Sequence, residues 1–143
     1  MGVIRQRQGI VRAVALPEGD DVRPLQPSDA AALRALDRKA YGADRTQALD
    51  ALLKMSGGTV AMRGTTVRGF ALHRPFGKGT VIGPVVAEDD AMAMRLVAPL
   101  INANTGRFTR LDTPVDSESF VAFLTEAGMV GYDTVTEMRI GPH

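Results

Sequence analysis

Three consecutive acids, Glu88-Asp89-Asp90, follow directly on a β-branched run, Thr80-Val81-Ile82-Gly83-Pro84-Val85-Val86-Ala87. The run has the composition of a strand buried on both faces, and the acids open an apolar segment reaching Ile101, so a strand runs straight into a helix. The first turn of a helix leaves backbone N–H groups unpaired, and a ligand phosphate, a ligand carboxylate or the protein's own side chains can satisfy them. A like-charge pair about 6 Å apart costs about 1.4 kcal/mol at an effective dielectric of about 40, whereas the helix dipole returns about 0.3–1 kcal/mol to an anion. Two or three carboxylates therefore outweigh the dipole unless they turn into solvent. The competing reading is that Asp89 or Asp90 caps the helix and fills the slot from within. Elsewhere, His73 closes a strand with an intrinsic pKa suited to proton transfer near neutrality, or is simply a lone exposed histidine. Arg74, beside Pro75-Phe76-Gly77, can pair with an anionic ligand or serve as a solvated turn residue.

The composition narrows the chemistry. The chain has 143 residues, no cysteine, two histidines and a formal net charge of +1. One domain with a real core fits that length. The missing cysteines exclude a disulfide framework and a thiolate metal site, two isolated histidines give no basis for a zinc centre, and no metal ligand is expected. Mixed charges and an aromatic content of 5% argue against nucleic acid as a partner. No stretch approaches the roughly 18 to 20 apolar residues of a membrane span, so no membrane partner is expected and a soluble, cytoplasmic protein follows by default.

The elements that position these residues follow from periodicity and punctuation. Residues 9–16 read as a strand, and residues 17–20 break it. Val22 to Leu25 is a short extended piece before a helix that starts with Pro27 at its first position or Ser28 as its cap and runs to Tyr41, where Gly42 ends it. Asp44 is placed to cap a second helix through Met55, closed by Gly57-Gly58. Residues 59–63 and 66–74 are strands around Gly64, and residues 74–79 turn into the central strand. The helix behind the acids is apolar on most sides and expected to be buried, with Pro99 kinking or ending it. Phe108 to Thr113 is a strand, Asp116 to Ala127 a helix stopped by Gly128, and Met129 to Ile140 strand material with a break near Gly131 to Asp133. The order predicts an α/β sandwich with a mixed sheet.

Four stretches in this order, Tyr41-Gly42-Ala43-Asp44-Arg45, Ile82 to Ala87 with its acidic helix start, Leu111-Asp112-Thr113-Pro114 and Ala127-Gly128-Met129, resemble the GCN5-related N-acetyltransferase (GNAT) family over roughly residues 22 to 141. The resemblance is closest to the divergent second domain of two-domain bacterial members. It implies a GNAT-like mixed, largely antiparallel sheet flanked by about four helices. Residues 1–21 are then an N-terminal strand and linker, and 22–143 the acyltransferase domain. It also implies an atypical N-acetyltransferase that moves an acyl group from acetyl-CoA or another acyl-CoA to a small-molecule or peptide amine. The alternative is a catalytically degenerate domain kept for ligand sensing or protein interaction. A homodimer or a partner GNAT domain is the expected assembly.

In the family the cofactor lies between the strands corresponding to 80–87 and 108–113, which assigns Val85, Val86 and Ala87 to pantetheine, and Ala91 and Ala93 to the diphosphate loop. That loop normally carries Gln or Arg and glycines, and of its pattern only Ala93 matches here. The family's usual tyrosine acid corresponds to Leu124, a core residue by its spacing with Phe120 and Ala127. The usual glutamate base falls among residues 80–86, which contain no titratable side chain. Asp112 and His73 are the substitutes for proton transfer, Asp112 otherwise bonding loop amides before Pro114. Tyr41, Asp44, Arg45 and Arg74 are the candidates for the acceptor, with Asp44 holding an amine and Arg45 a carboxylate.

Overall fold

A computed structural model describes residues 3–17, 19, 21–41, 46–77, 79–113, 117–129 and 131–136. The chain runs through β1 (Val3–Ile10), β2 (Val22–Pro24), a 3-10 turn (Pro27–Asp29), α1 (Ala30–Tyr41), α2 (Thr46–Met55), β3 (Gly57–Arg63), β4 (Thr66–Phe76), β5 (Gly79–Val86), α3 (Asp90–Ala103), β6 (Phe108–Thr113), α4 (Glu118–Glu126) and β7 (Gly131–Thr136). The strands form one sheet in the order β2-β3-β4-β5-β6-β1-β7. Only the β5–β6 pair is parallel, joined through α3 as a parallel connection requires. The sheet is therefore mixed and largely antiparallel, with helices on both sides.

Strand alternation sorts the side chains between two layers. Ala61, Ala71, Ile82 and Leu111 face α3 and α4, packing with Leu96, Val97, Ile101, Phe120 and Leu124. Val60, Phe70 and Leu72 face the other way and meet Leu33 of α1 and Leu49 of α2. α3 is buried as its apolar circumference predicts, with Met92, Ala93, Leu96, Val97, Ala98, Leu100 and Ile101 inside. Among the described residues no helix is long and apolar enough to cross a membrane.

Three local expectations are corrected. The first strand is Val3–Ile10, because from Val11 onward the backbone bonds to loops instead of to a strand. Val11 N–H donates to the Arg107 carbonyl at 3.1 Å and Arg12 N–H to that of Ala127 at 2.9 Å. Pro99 does not end its helix, which runs on to Ala103. The bond that the proline forfeits is the one to the Arg95 carbonyl four residues back. Burial of Leu96, Val97, Leu100 and Ile101 on either side of it holds the helix against the sheet, and the Leu96 carbonyl adds a tie to β3 by accepting from the buried Thr59 hydroxyl at 2.7 Å. The expected break at 131–133 is absent, since every residue from Gly131 to Thr136 pairs with β1, and that ladder overrides the local turn preference of Gly131 and Asp133. The first helix begins with Pro27 at its first position after Gln26, one of its two expected starts. The expected stop at Gly42 and cap at Asp44 lie outside the described residues.

Candidate functional site

The β5–β6 ladder holds three pairs, Thr80↔Thr109, Val81↔Arg110 and Ile82↔Leu111, and then stops although both strands continue. Against β4 the register of β5 shifts at the same level, from His73↔Ile82 to Ala71↔Val85. Three steps in β5 thus match two in β4, and the extra residue falls at Gly83-Pro84. A bulge bends its strand and ends regular pairing locally. Gly83 takes φ 151° there, a conformation open to a residue without Cβ. Beyond it, Val85 and Val86 pair with β4 and have no partner in β6 among the described residues, leaving backbone groups as an edge along which a peptide-like chain can lie. Val85 is buried, and Val86 and Ala87 are half-buried.

The helix start at the end of this edge is satisfied from within. Asp89 is the N-cap of α3 and its Oδ1 accepts the Met92 N–H at 2.8 Å. The Ala93 N–H is taken by the Asp89 carbonyl at 3.0 Å. Glu88 is drawn aside by two arginines: Arg68 donates Nε–H at 2.8 Å and also donates from Nη2, and Arg63 lies at 3.4 Å. Asp90 Oδ2 accepts from the Ser119 hydroxyl at 3.2 Å, tying the start of α3 to the first turn of α4. Of the two readings of the acidic start, the capping one describes this geometry. The backbone edge of β5 fits the pantetheine part of a CoA, whereas a diphosphate on α3 has to displace the Asp89 carboxylate.

His73 sits opposite Ile82, on the last rung before the ladder ends. Its Nδ1 lies 3.2 Å from Asn104 Nδ2. Asn104 is buried, donates to the Leu100 carbonyl at 2.7 Å and accepts from Thr80 Oγ1 at 2.8 Å. With both amide hydrogens engaged, Asn104 presents a donor to Nδ1 and favours the tautomer protonated on Nε2. Burial pushes the His73 pKa below its ordinary value, so the ring is neutral at neutral pH. His73 thus attaches to the C-terminal end of α3, while the acids occupy its N-terminus, about 20 Å away for a helix of this length.

Arg74 alternates to the other face and donates Nη1–H to the Gly83 carbonyl at 3.2 Å, tying β4 to the bulge. Val81 separates Arg74 from Arg110 along one row of the sheet, and the Arg110 guanidinium lies 4.5 Å from the centroid of the Phe76 ring. Asp112 belongs to β6, one residue beyond the last rung, with its backbone opposite Gln6. Tyr41 is the last residue of α1, and Asp44 and Arg45 lie outside the described residues. Ala91 is exposed in the first turn of α3, and Ala93 is buried. Leu124 is fully buried in the core. Sequence reasoning missed Arg63, Arg68, Ser119 and Asn104, all of which act across tertiary contacts that leave no local pattern.

The sequence pattern of the acetyltransferase (GNAT) domain family matches residues 33–143. Compared with curated proteins, the sequence matches none. Among solved structures the fold is similar to that of a GNAT-family protein from Novosphingobium aromaticivorans, with 13% identity, 93% of this chain and 62% of that one covered, and a TM-score of 0.59. It is similar to a GCN5-related N-acetyltransferase from Kribbella flavida, with 16% identity, coverage of 93% and 36%, and a TM-score of 0.62. A GNAT-family acetyltransferase from Brucella melitensis in complex with acetyl-CoA aligns with 18% identity, coverage of 71% and 79%, and a TM-score of 0.54. Against six of seven similar solved structures the chain spans between 36% and 62% of the other protein's length. With strand order, helix placement and the matched pattern in agreement, the chain belongs to the GNAT acetyltransferase family.

Proposed function

We propose that this protein binds an acyl-CoA along β5 and passes its acyl group to an amine, relying on positioning more than on acid–base help. The observation that carries this reading is the end of the β5–β6 ladder at Ile82↔Leu111, coincident with the bulge at Gly83-Pro84. A bound acyl-CoA supplies an activated thioester. Val85, Val86 and Ala87 hold its pantetheine through backbone groups, and the first turn of α3 around Ala91 and Ala93 receives the diphosphate once Asp89 turns outward. Arg74, already on the Gly83 carbonyl, joins Tyr41, Asp44 and Arg45 in holding the acceptor, a small-molecule or peptide amine. Asp112, at the level where the strands part, accepts the amine proton directly or through water as the CoA thiolate departs, and that thiolate takes up the proton. The neutral His73 serves as the second base only once its Nδ1 lone pair is released from Asn104. Holding reactants in place supplies about 7–11 kcal/mol in the best cases, so a buried leucine at position 124 is compatible with turnover. The protein is proposed to work in the cytoplasm. It is proposed to act beside a second GNAT domain, as the divergent half of a pair, or as a homodimer.

One observation favours a second reading. The carboxylate of Asp89 already takes the helix N–H that a diphosphate needs, as expected of a degenerate domain retained for ligand sensing or protein interaction. Calorimetric titration with acetyl-CoA, with melting temperature followed in parallel, separates the two, since a ligand of the folded state raises the melting point. Micromolar binding with a thermal shift supports the transferase. Absence of both at millimolar acetyl-CoA refutes it in favour of the degenerate domain.

A further inference from the structure

On the opposite side of the sheet from α3, a trough of about 980 Å³ lies between α1 and the β3–β4 hairpin and reaches the end of β5. This is the size of a small-molecule site, for which about 300–1,000 Å³ is usual. Ala32, Ala35 and Leu36 form one wall, and Met62, Val67 and Val86 the other. None of the residues predicted from sequence to hold an acceptor, and neither proton-transfer candidate, lines it.

The charges around the trough do not cancel. Its charged lining residues are Arg23, Asp29, Lys39, Arg68 and Glu88. Arg23 grips Asp29 through two hydrogen bonds of 2.8 and 2.9 Å, which consumes both charges. Glu88 pairs with Arg68 and, more loosely, with Arg63 from outside the trough, so the Arg68 charge is balanced as well. Lys39 makes no ion pair among the described residues. The balance is an apolar channel with one surplus positive charge at its rim, that of Lys39, and no surplus negative charge inside it.

We infer that this trough binds an amphipathic monoanion, a carboxylate on a medium-length alkyl chain, with the alkyl chain along Leu36, Met62, Val67 and Val86 and the carboxylate at Lys39. The trough meets the acyl-CoA edge of β5 at Val86 and Ala87, but there the Val86 side chain packs toward α1 whereas the pantetheine reading uses the strand's backbone, so the inference is tested by its own ligand whether or not the transferase reading holds.

Titration of the whole chain with sodium octanoate, sodium decanoate and decanol, read by calorimetry and by chemical-shift perturbation, tests it. Decanoate should bind in the sub-millimolar range and about fifteenfold tighter than octanoate, since each buried methylene contributes roughly a factor of four. Lys39→Glu should weaken decanoate at least about tenfold through charge reversal. Ala35→Phe should abolish binding by filling the channel from an exposed helix position, with melting temperature and acetyl-CoA affinity unchanged. No decanoate binding at millimolar concentration overturns the inference, and so does decanol binding as tightly as decanoate. Wild-type decanoate affinity in both variants overturns it as well. Loss of acetyl-CoA binding in Ala35→Phe would make the trough part of the donor site, which also overturns it.

Discussion

Substitution of Asp89 by asparagine isolates the charge that competes with a diphosphate. The side chain caps α3 through one 2.8 Å bond to the Met92 N–H, and asparagine caps as well as aspartate. The stability change is then limited to the lost charge–dipole attraction, about 0.3–1 kcal/mol, or a fall in melting temperature of roughly 1–4 °C. For the ligand the sign reverses. A phosphate oxyanion about 6 Å from a carboxylate is repelled by about 1.4 kcal/mol at an effective dielectric of about 40, the appropriate regime for an exposed cap. Glu88 is balanced by Arg63 and Arg68, and Asp90 keeps its charge and its Ser119 bond in the variant as in the parent, so the single substitution reads the Asp89 contribution alone. The expected outcome is acetyl-CoA binding about tenfold tighter at low salt, with the gain shrinking as added salt shortens the screening length to a few ångströms. Calorimetry at two ionic strengths reads both quantities. Wild-type affinity in a variant that melts within about 4 °C of the parent would refute the electrostatic reasoning. A gain independent of salt would refute it equally, pointing to a steric cause.

Three further substitutions test the packing that holds the site. Thr59→Val keeps the shape but leaves the Leu96 carbonyl without the hydroxyl now 2.7 Å away; a loss of about 1–3 kcal/mol in urea unfolding is expected, and a change under about 0.5 kcal/mol contradicts the role given to that bond beside Pro99. His73 has its pKa lowered by burial, so the unfolded chain binds its proton more readily. The stability contribution is complete above the unfolded pKa of about 6.5 and declines as pH falls below it. His73→Gln should remove that decline from melting curves between about pH 7 and 5, and an unchanged slope rejects the assignment. Asp29 has its pKa lowered chiefly by the Arg23 hydrogen bonds and further by the Gln26 N–H. Its contribution is therefore present above the unfolded value of about 3.9 and lost as pH drops through the lower folded value. Arg23→Ala should destabilise at pH 7, and the gap to the parent should narrow toward about pH 3, whereas a gap independent of pH would show that packing, not charge, was removed.

What was legible in the sequence divides along the range of the interactions involved. The junction of β5 and α3 could be read because both of its causes are local, a β-branched run followed by acids that favour a first helical turn. The burial of Leu124 followed from helical spacing with Phe120, and the stop at Gly128 from its left-handed conformation, φ 99°. The continuation of α3 past Pro99 was not legible, because what holds it is burial against strands and a helix distant in sequence. The environment of His73 was hidden for the same reason, its partner Asn104 standing 31 positions away. The bulge could not be foreseen from Gly83-Pro84 alone, since its consequence is a register difference between two ladders. One composition-level inference did carry through to chemistry. Three adjacent acids at a helix start implied either repulsion of a ligand anion or a cap supplied from within, and the fold sends them to three different partners: Asp89 to the helix amide as the cap, Glu88 to a pair of arginines and Asp90 to a serine of α4. That division makes the site testable, because each acid can be neutralised without disturbing the contacts of the other two.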